Sequence, residues 1–139
     1  MLPLRPLIFS LGLLGGAAAQ AQVVVVVNPK AGLDSLSTEQ VAAFFLGKSS
    51  SLPGGLSQAL DLPEANAARD QFYAKGAGKS ASQVKATWAR LAFSGKATPP
   101  KELANAAEVK KFVGAHADAV GYIEKAAVDG SVKVVLTIE

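Results

Sequence analysis

Apolar positions along this chain repeat with two different periods, and the change from one to the other marks out its elements. Val23 to Val27 is a β-branched run without alternation. Such a run predicts a strand covered on both faces. Asn28, Pro29 and Lys30 end it. Val41, Phe44 and Phe45 then recur at helical spacing, and the start of that helix is marked by Ser37 as N-cap, Gln40 in capping-box position, and Leu36 placed to staple against Val41. Gly47 predicts a left-handed C-cap with Lys48 beside the negative helix end.

Ser49 to Gly55 is a turn-rich connection, after which Leu56, Gln58, Leu60 and Leu62 alternate as a second strand would. A second helix is predicted beyond Pro63–Ala67, with Ala68 and Phe72 one turn apart and the Gly76, Ala77, Gly78 stretch ending it. Ser80 and Gln83 repeat the capping box, and Val84, Trp88, Leu91 and Ala92 make an apolar stripe up to Phe93. That helix closes on Phe93, Ser94, Gly95, Lys96, a copy of the earlier stop Phe45, Leu46, Gly47, Lys48. Pro99 and Pro100 break the chain. Asn105 and Glu108 open a fourth helix with Val109, Phe112 and Val113 inward and Gly114 closing it. Val120 to Ile123 reads as a short strand, and an Asp129–Gly130 turn leads into Val132, Val134, Leu136 and Ile138 on one face of a last strand. The order of strand, helix, strand, three helices, strand, strand predicts an α/β fold, with helices flanking a mixed β-sheet.

Composition adds an address. Arg5, the apolar run Leu7–Leu14 and the small-x-small pattern Ala19, Gln20, Ala21 make residues 1–21 a secretory signal peptide, cleaved after Ala21. The run is too short to span a bilayer, so no membrane anchor is expected and the mature protein is placed in the periplasm or secreted. Residues 22–139 are then one ordinary domain's worth of chain. The chain has no Cys, which excludes disulfides, a thiol nucleophile and a lipid-modified cysteine. With one His as well, neither a transition-metal site nor a cofactor is expected. The net charge of +3 is spread along the chain, and Arg5 lies in the leader. That excess is too mild for a nucleic-acid partner.

Four blocks carry a family resemblance: Asn28–Lys48, containing L-S-T-E-Q-V-A-A-F-F-L-G-K; Arg69–Tyr73, R-D-Q-F-Y; Trp88–Pro100, beginning W-A-R-L-A-F-S-G-K; and Ala119–Ile123, A-V-G-Y-I. In this order they resemble the substrate-binding component of phosphate ABC importers. The resemblance implies one lobe of a type II periplasmic binding protein, where full-length members close two lobes over the anion. It also implies inorganic phosphate or another oxyanion as ligand, an importer permease as partner, and no enzymatic activity.

The chain departs from that family where the anion should sit. The family's loop carries an Arg, an acidic residue and then Ser-Gly-Thr ahead of the R-D-x-F helix. Aligned on Arg69, Asp70 and Phe72, this chain has Leu62 for the Arg, Glu64 for the acid, and Asn66, Ala67, Ala68 for Ser-Gly-Thr. Glu64, Asn66, Ala67, Ala68 and Arg69 are therefore the candidate ligand-binding residues, with the strongest contact, a charge-assisted bidentate one, gone. Asn66 reads equally as a helix cap, and Arg69 as an ordinary exposed helix residue. Leu62, Ala67 and Ala68 suggest an apolar cleft suited to a periplasmic protein partner. Two functions follow: an exported binding protein that holds an oxyanion weakly, or an interaction module on a lobe that has lost its ligand.

Other motifs lead nowhere chemical. Gly78, Lys79, Ser80 imitates the tail of a P-loop, but Tyr73 stands where its first Gly belongs. Gly55–Ala59 is one residue short of a nucleophile elbow and opens a strand instead of joining strand to helix. His116 lies in a short polar loop, and Trp88 and Tyr122 read as core aromatics.

Overall fold

A computed structural model describes residues 22–139; the expected leader, 1–21, lies outside the described residues. The valine run forms β1 (Val23–Val27), every residue of it buried. It lies inside a five-stranded sheet, with β4 (Ala119–Glu124) on one side and β5 (Lys133–Ile138) on the other, both antiparallel to it. Burial of a valine contributes about 1.5–3 kcal/mol before chain entropy is counted, so this strand alone is a large share of the core. β2 (Gln58–Asp61) extends the sheet beyond β4, parallel to it, and β3 (Lys101–Glu102) ends the order β3-β2-β4-β1-β5.

Local capping chemistry builds the helices. α1 (Thr38–Phe45) and α3 (Ala81–Ser94) both start from complete capping boxes, Ser37 with Gln40 and Ser80 with Gln83. α4 (Ala106–Ala115) is capped by Asn105, and α2 (Ala67–Ala77) by Asn66. Gly78 and Lys79 close α2 much as the two Phe-x-Gly-Lys stops close α1 and α3. Gly47, Gly78 and Gly95 all have positive φ, and the following lysine amide reaches back into the last turn: Lys48 to Ala43 O at 2.8 Å, Lys79 to Tyr73 O at 3.0 Å, Lys96 to Leu91 O at 3.1 Å. The P-loop look-alike is therefore one helix stop followed by the next helix's cap. Asn28 Nδ2 donates to Val113 O at 3.1 Å and to Gly114 O at 3.3 Å, which satisfies orphan carbonyls of α4. Gly121 lets α4 approach the sheet, since a Cβ there would stand 2.7 Å from Val109 Cγ1.

Three sequence expectations are corrected. β3 was not foreseen, and it turns the run of three helices into two helices, a strand and a helix. In β5 the buried residues are Val135 and Ile138, preceded by a buried Val132, while Val134 is exposed and Leu136 half-buried. The cause is a bulge: Val25 pairs with Leu136 but Val26 with Val134, so Val135 is extra in the ladder and the alternation slips by one. Its carbonyl accepts from Leu36 N at 2.9 Å. Third, the α3 stripe is mostly uncovered. Only Val84 is buried; Trp88 and Leu91 are half-buried, and Phe93 is 95% exposed. Trp88 holds α3 by donating from Nε1 to Phe45 O at 2.9 Å and by lying against Gly47, where a Cβ would meet Leu91 Cδ1 at 2.5 Å.

Candidate functional site

Parallel strands end side by side, and in open α/β sheets ligands gather at those carboxyl ends. Here the last residues of β2 and β3, Asp61 and Glu102, are register partners. α2 starts beside them, so the candidate loop Asp61–Arg69 occupies the expected crevice. Asp61 is 5% exposed, a burial a carboxylate tolerates only when it is paired and hydrogen-bonded.

The chain supplies those partners itself. Leu62 N donates to Asp61 Oδ1 at 2.9 Å, Tyr122 OH donates to the same oxygen, and Tyr73 OH donates to Oδ2 at 2.7 Å. Arg69 Nη1 lies 3.7 Å from Asp61 Oδ2 and 3.7 Å from Glu102 Oε1, and donates to Leu62 O at 2.9 Å. The guanidinium also stands 5.6 Å from the Tyr73 ring centre. Burial, then the Asp61 charge, then the hydrogen bonds to it push both tyrosine hydroxyls far above the ordinary range. They remain protonated donors and offer no base. An aromatic cluster holds them, with Tyr122 stacked on Phe72 at 4.0 Å and Phe45 edge-on to Phe72 at 4.8 Å.

The sequence-predicted residues separate. Glu64 and Ala67 are exposed, and neither touches the buried cluster through a hydrogen bond or ion pair. Asn66 spends its side-chain oxygen on its own helix, accepting from Ala68 N at 2.9 Å, while Arg69 N donates to Asn66 O at 3.0 Å. Ala68 and Leu62 are core residues, each 1% exposed, so Leu62, Ala67 and Ala68 form no apolar cleft. Arg69 is not an ordinary exposed helix residue: its side chain is 11% exposed and turned back over the loop. Its Nε is buried without a hydrogen-bond partner. A cation therefore does stand at this loop, supplied by the helix and not by position 62.

Sequence reasoning missed Asp61, Tyr73 and Tyr122 as a unit because they come from three elements. One signal was present: Asp61 is a lone acid flanked directly by Leu60 and Leu62. His116 is exposed at the end of α4, its ring stacked on Phe112 at 4.0 Å. Among the described residues no three of His, Asp and Glu gather as a metal site, and no helix is long and apolar enough to cross a membrane.

No protein-family model matches the chain, and the comparison with curated proteins finds no match. Solved structures do match. One described as a phosphate ABC transporter substrate-binding protein with bound phosphate, from Clostridium perfringens, superposes with a TM-score of 0.66 at 16% identity over 83% of this chain and 44% of its own. An ABC-type phosphate transport receptor from Vibrio cholerae gives 0.64 at 18% identity, over 83% and 45%. PstS from Borrelia burgdorferi gives 0.63 at 9%, over 83% and 46%. The chain spans less than half the length of each. Identities this low establish shape, and the described residues have the fold of one lobe of a phosphate-transport binding protein.

Proposed function

We propose that this chain is an exported, non-enzymatic binding-protein lobe that works as a periplasmic interaction module, its ancestral anion subsite filled by its own side chains. The carrying observation is Asp61. A buried carboxylate at the carboxyl end of β2 takes the Leu62 amide, two tyrosine hydroxyls and the Arg69 guanidinium, which are the kinds of donor an oxyanion would need. An incoming phosphate would meet that charge with donors already committed. The uncovered face of α3, with Phe93 95% exposed, supports a protein partner. A photo-crosslinking residue at Phe93, activated in the periplasm, is expected to yield a discrete heteromeric adduct; recovery of uncrosslinked monomer alone would overturn the module.

One observation favours a second reading, weak oxyanion binding around Glu64, Asn66, Ala67, Ala68 and Arg69. Arg69 Nε is a buried donor without a partner. Calorimetric titration of the folded chain with orthophosphate separates the two. The module reading expects no saturable heat at millimolar phosphate; saturable heat that Asn66→Ala abolishes would establish the second.

A further inference from the structure

Both Phe-x-Gly-Lys stops deliver their lysines to one place. Lys48 and Lys96, with Lys101 at the start of β3, line a groove of about 580 Å³ bounded by Trp88, Ser57 and Thr98. It lies at the amino ends of β2 and β3, away from the Asp61 crevice. No Asp or Glu lines it. Among the described residues the ion pairs belong to Arg69, Lys110 and Lys133, so none of these three ammonium groups has a carboxylate partner. Lys101 has only a cation–π contact, 5.8 Å from the Phe112 ring.

We propose that this groove is a second binding site, for a small anion bearing two or more linked phosphate groups. Charge sets the sign of the ligand. Lys48 and Lys96 follow the carboxyl ends of α1 and α3, and each helix end carries roughly half a negative charge, so about one negative unit opposes these two ammonium groups. Lys101, whose ammonium stands over the Phe112 ring, adds positive charge from the groove's edge. Volume sets its size: the groove is in the range of small-molecule sites and far larger than one phosphate needs. Lysines are point charges on flexible stems without the planar fork of Arg, which suits several tetrahedral groups in no fixed orientation. An acidic peptide adding as a strand is disfavoured, because β3 has two residues and Pro99 and Pro100, just before it, carry no N–H.

Trp88 is the only tryptophan in the chain, so its emission reports this groove directly. Inorganic tripolyphosphate, titrated into the folded chain at low salt, is expected to change that emission saturably, with affinity falling as salt rises. The triple variant Lys48→Gln, Lys96→Gln, Lys101→Gln is expected to weaken binding at least about tenfold, the loss of about 1.4 kcal/mol. The equally neutralised control Lys75→Gln, Lys85→Gln, Lys111→Gln, all exposed and outside the groove, is expected to bind as the parent does. Tighter binding of ATP than of tripolyphosphate would assign the phosphates to a nucleotide, and the reverse to an inorganic chain; both support the site. Absence of saturation at millimolar tripolyphosphate, equal weakening in both triples, or tighter binding of hexaglutamate would overturn it. Thermal melting of both triples confirms that each is folded.

Discussion

A carboxylate at 5% exposure must be answered by donors, and Asp61 is answered by two tyrosine hydroxyls, a backbone amide and a guanidinium. That arrangement has a pH signature. Tyrosine ordinarily titrates near pH 10, and both hydroxyls are held above that value in the fold, chiefly by burial and then by the Asp61 charge. Above pH about 10 the unfolded chain loses these protons while the folded chain keeps them. The stability they bring is thus whole below pH about 10 and lost as pH rises beyond it, approaching about 1.4 kcal/mol per pH unit for each tyrosine. Tyr73 and Tyr122 are the only tyrosines, so tyrosinate absorbance is expected to rise together with loss of tertiary structure, not before it. Urea midpoints followed from about pH 9 to about pH 11, across the ordinary tyrosine pKa, should fall about half as steeply in Tyr73→Phe as in the parent. Tyrosinate forming in the still-folded chain would mean that the hydroxyls are not locked on Asp61.

Among the elements, β5 and α3 show where local pattern and tertiary context part. The bulge at Val135 makes a test with opposite outcomes for the two readings of the strand. Strict alternation would bury Val134; the structure buries Val135 at 4% exposure and leaves Val134 at 37%. Val135→Ala is expected to cost about 2 kcal/mol and Val134→Ala less than about 0.5 kcal/mol, read from urea midpoints. Reversed costs would restore the unbulged strand. The bulge was not legible because nothing in Val132–Ile138 announces it; the Leu36 amide that takes the Val135 carbonyl lies on a distant loop. The helix starts were legible for the opposite reason. Ser37 with Gln40, Ser80 with Gln83, and Asn105 with the Glu108 amide are contacts three residues apart, complete within the local sequence. β3 is two polar residues whose strand character comes from pairing with β2. The Asp61 cluster was hidden likewise, since its tyrosines stand 12 and 61 residues away. The loop before α2 could be singled out in the chain as a candidate site, but the buried cluster that the structure builds beneath it could not.

At the scale of the whole molecule, the question is what one lobe can do that two cannot. A pair of lobes buries an anion by closing a hinge, and closure shows as compaction on binding. This sheet has a single rigid layer order, with the crevice of β2 and β3 already spanned by Asp61, Arg69 and Glu102. The described residues form one lobe, and the two proposed contacts, a partner on the α3 face and an anion in the lysine groove, both lie on its surface. Small-angle scattering of residues 22–139 is expected to give a radius of gyration of about 13–14 Å, the value for a compact chain of this size. Millimolar orthophosphate should leave it unchanged. Compaction on adding phosphate would reveal a closing motion within these residues, and a phosphate-dependent doubling of mass would mean that two copies close over the anion together. Either result would return the chain to solute capture. An invariant radius, combined with a heteromeric crosslink at Phe93, leaves the binding-protein fold in use as a scaffold whose ligand chemistry has been turned inward onto Asp61.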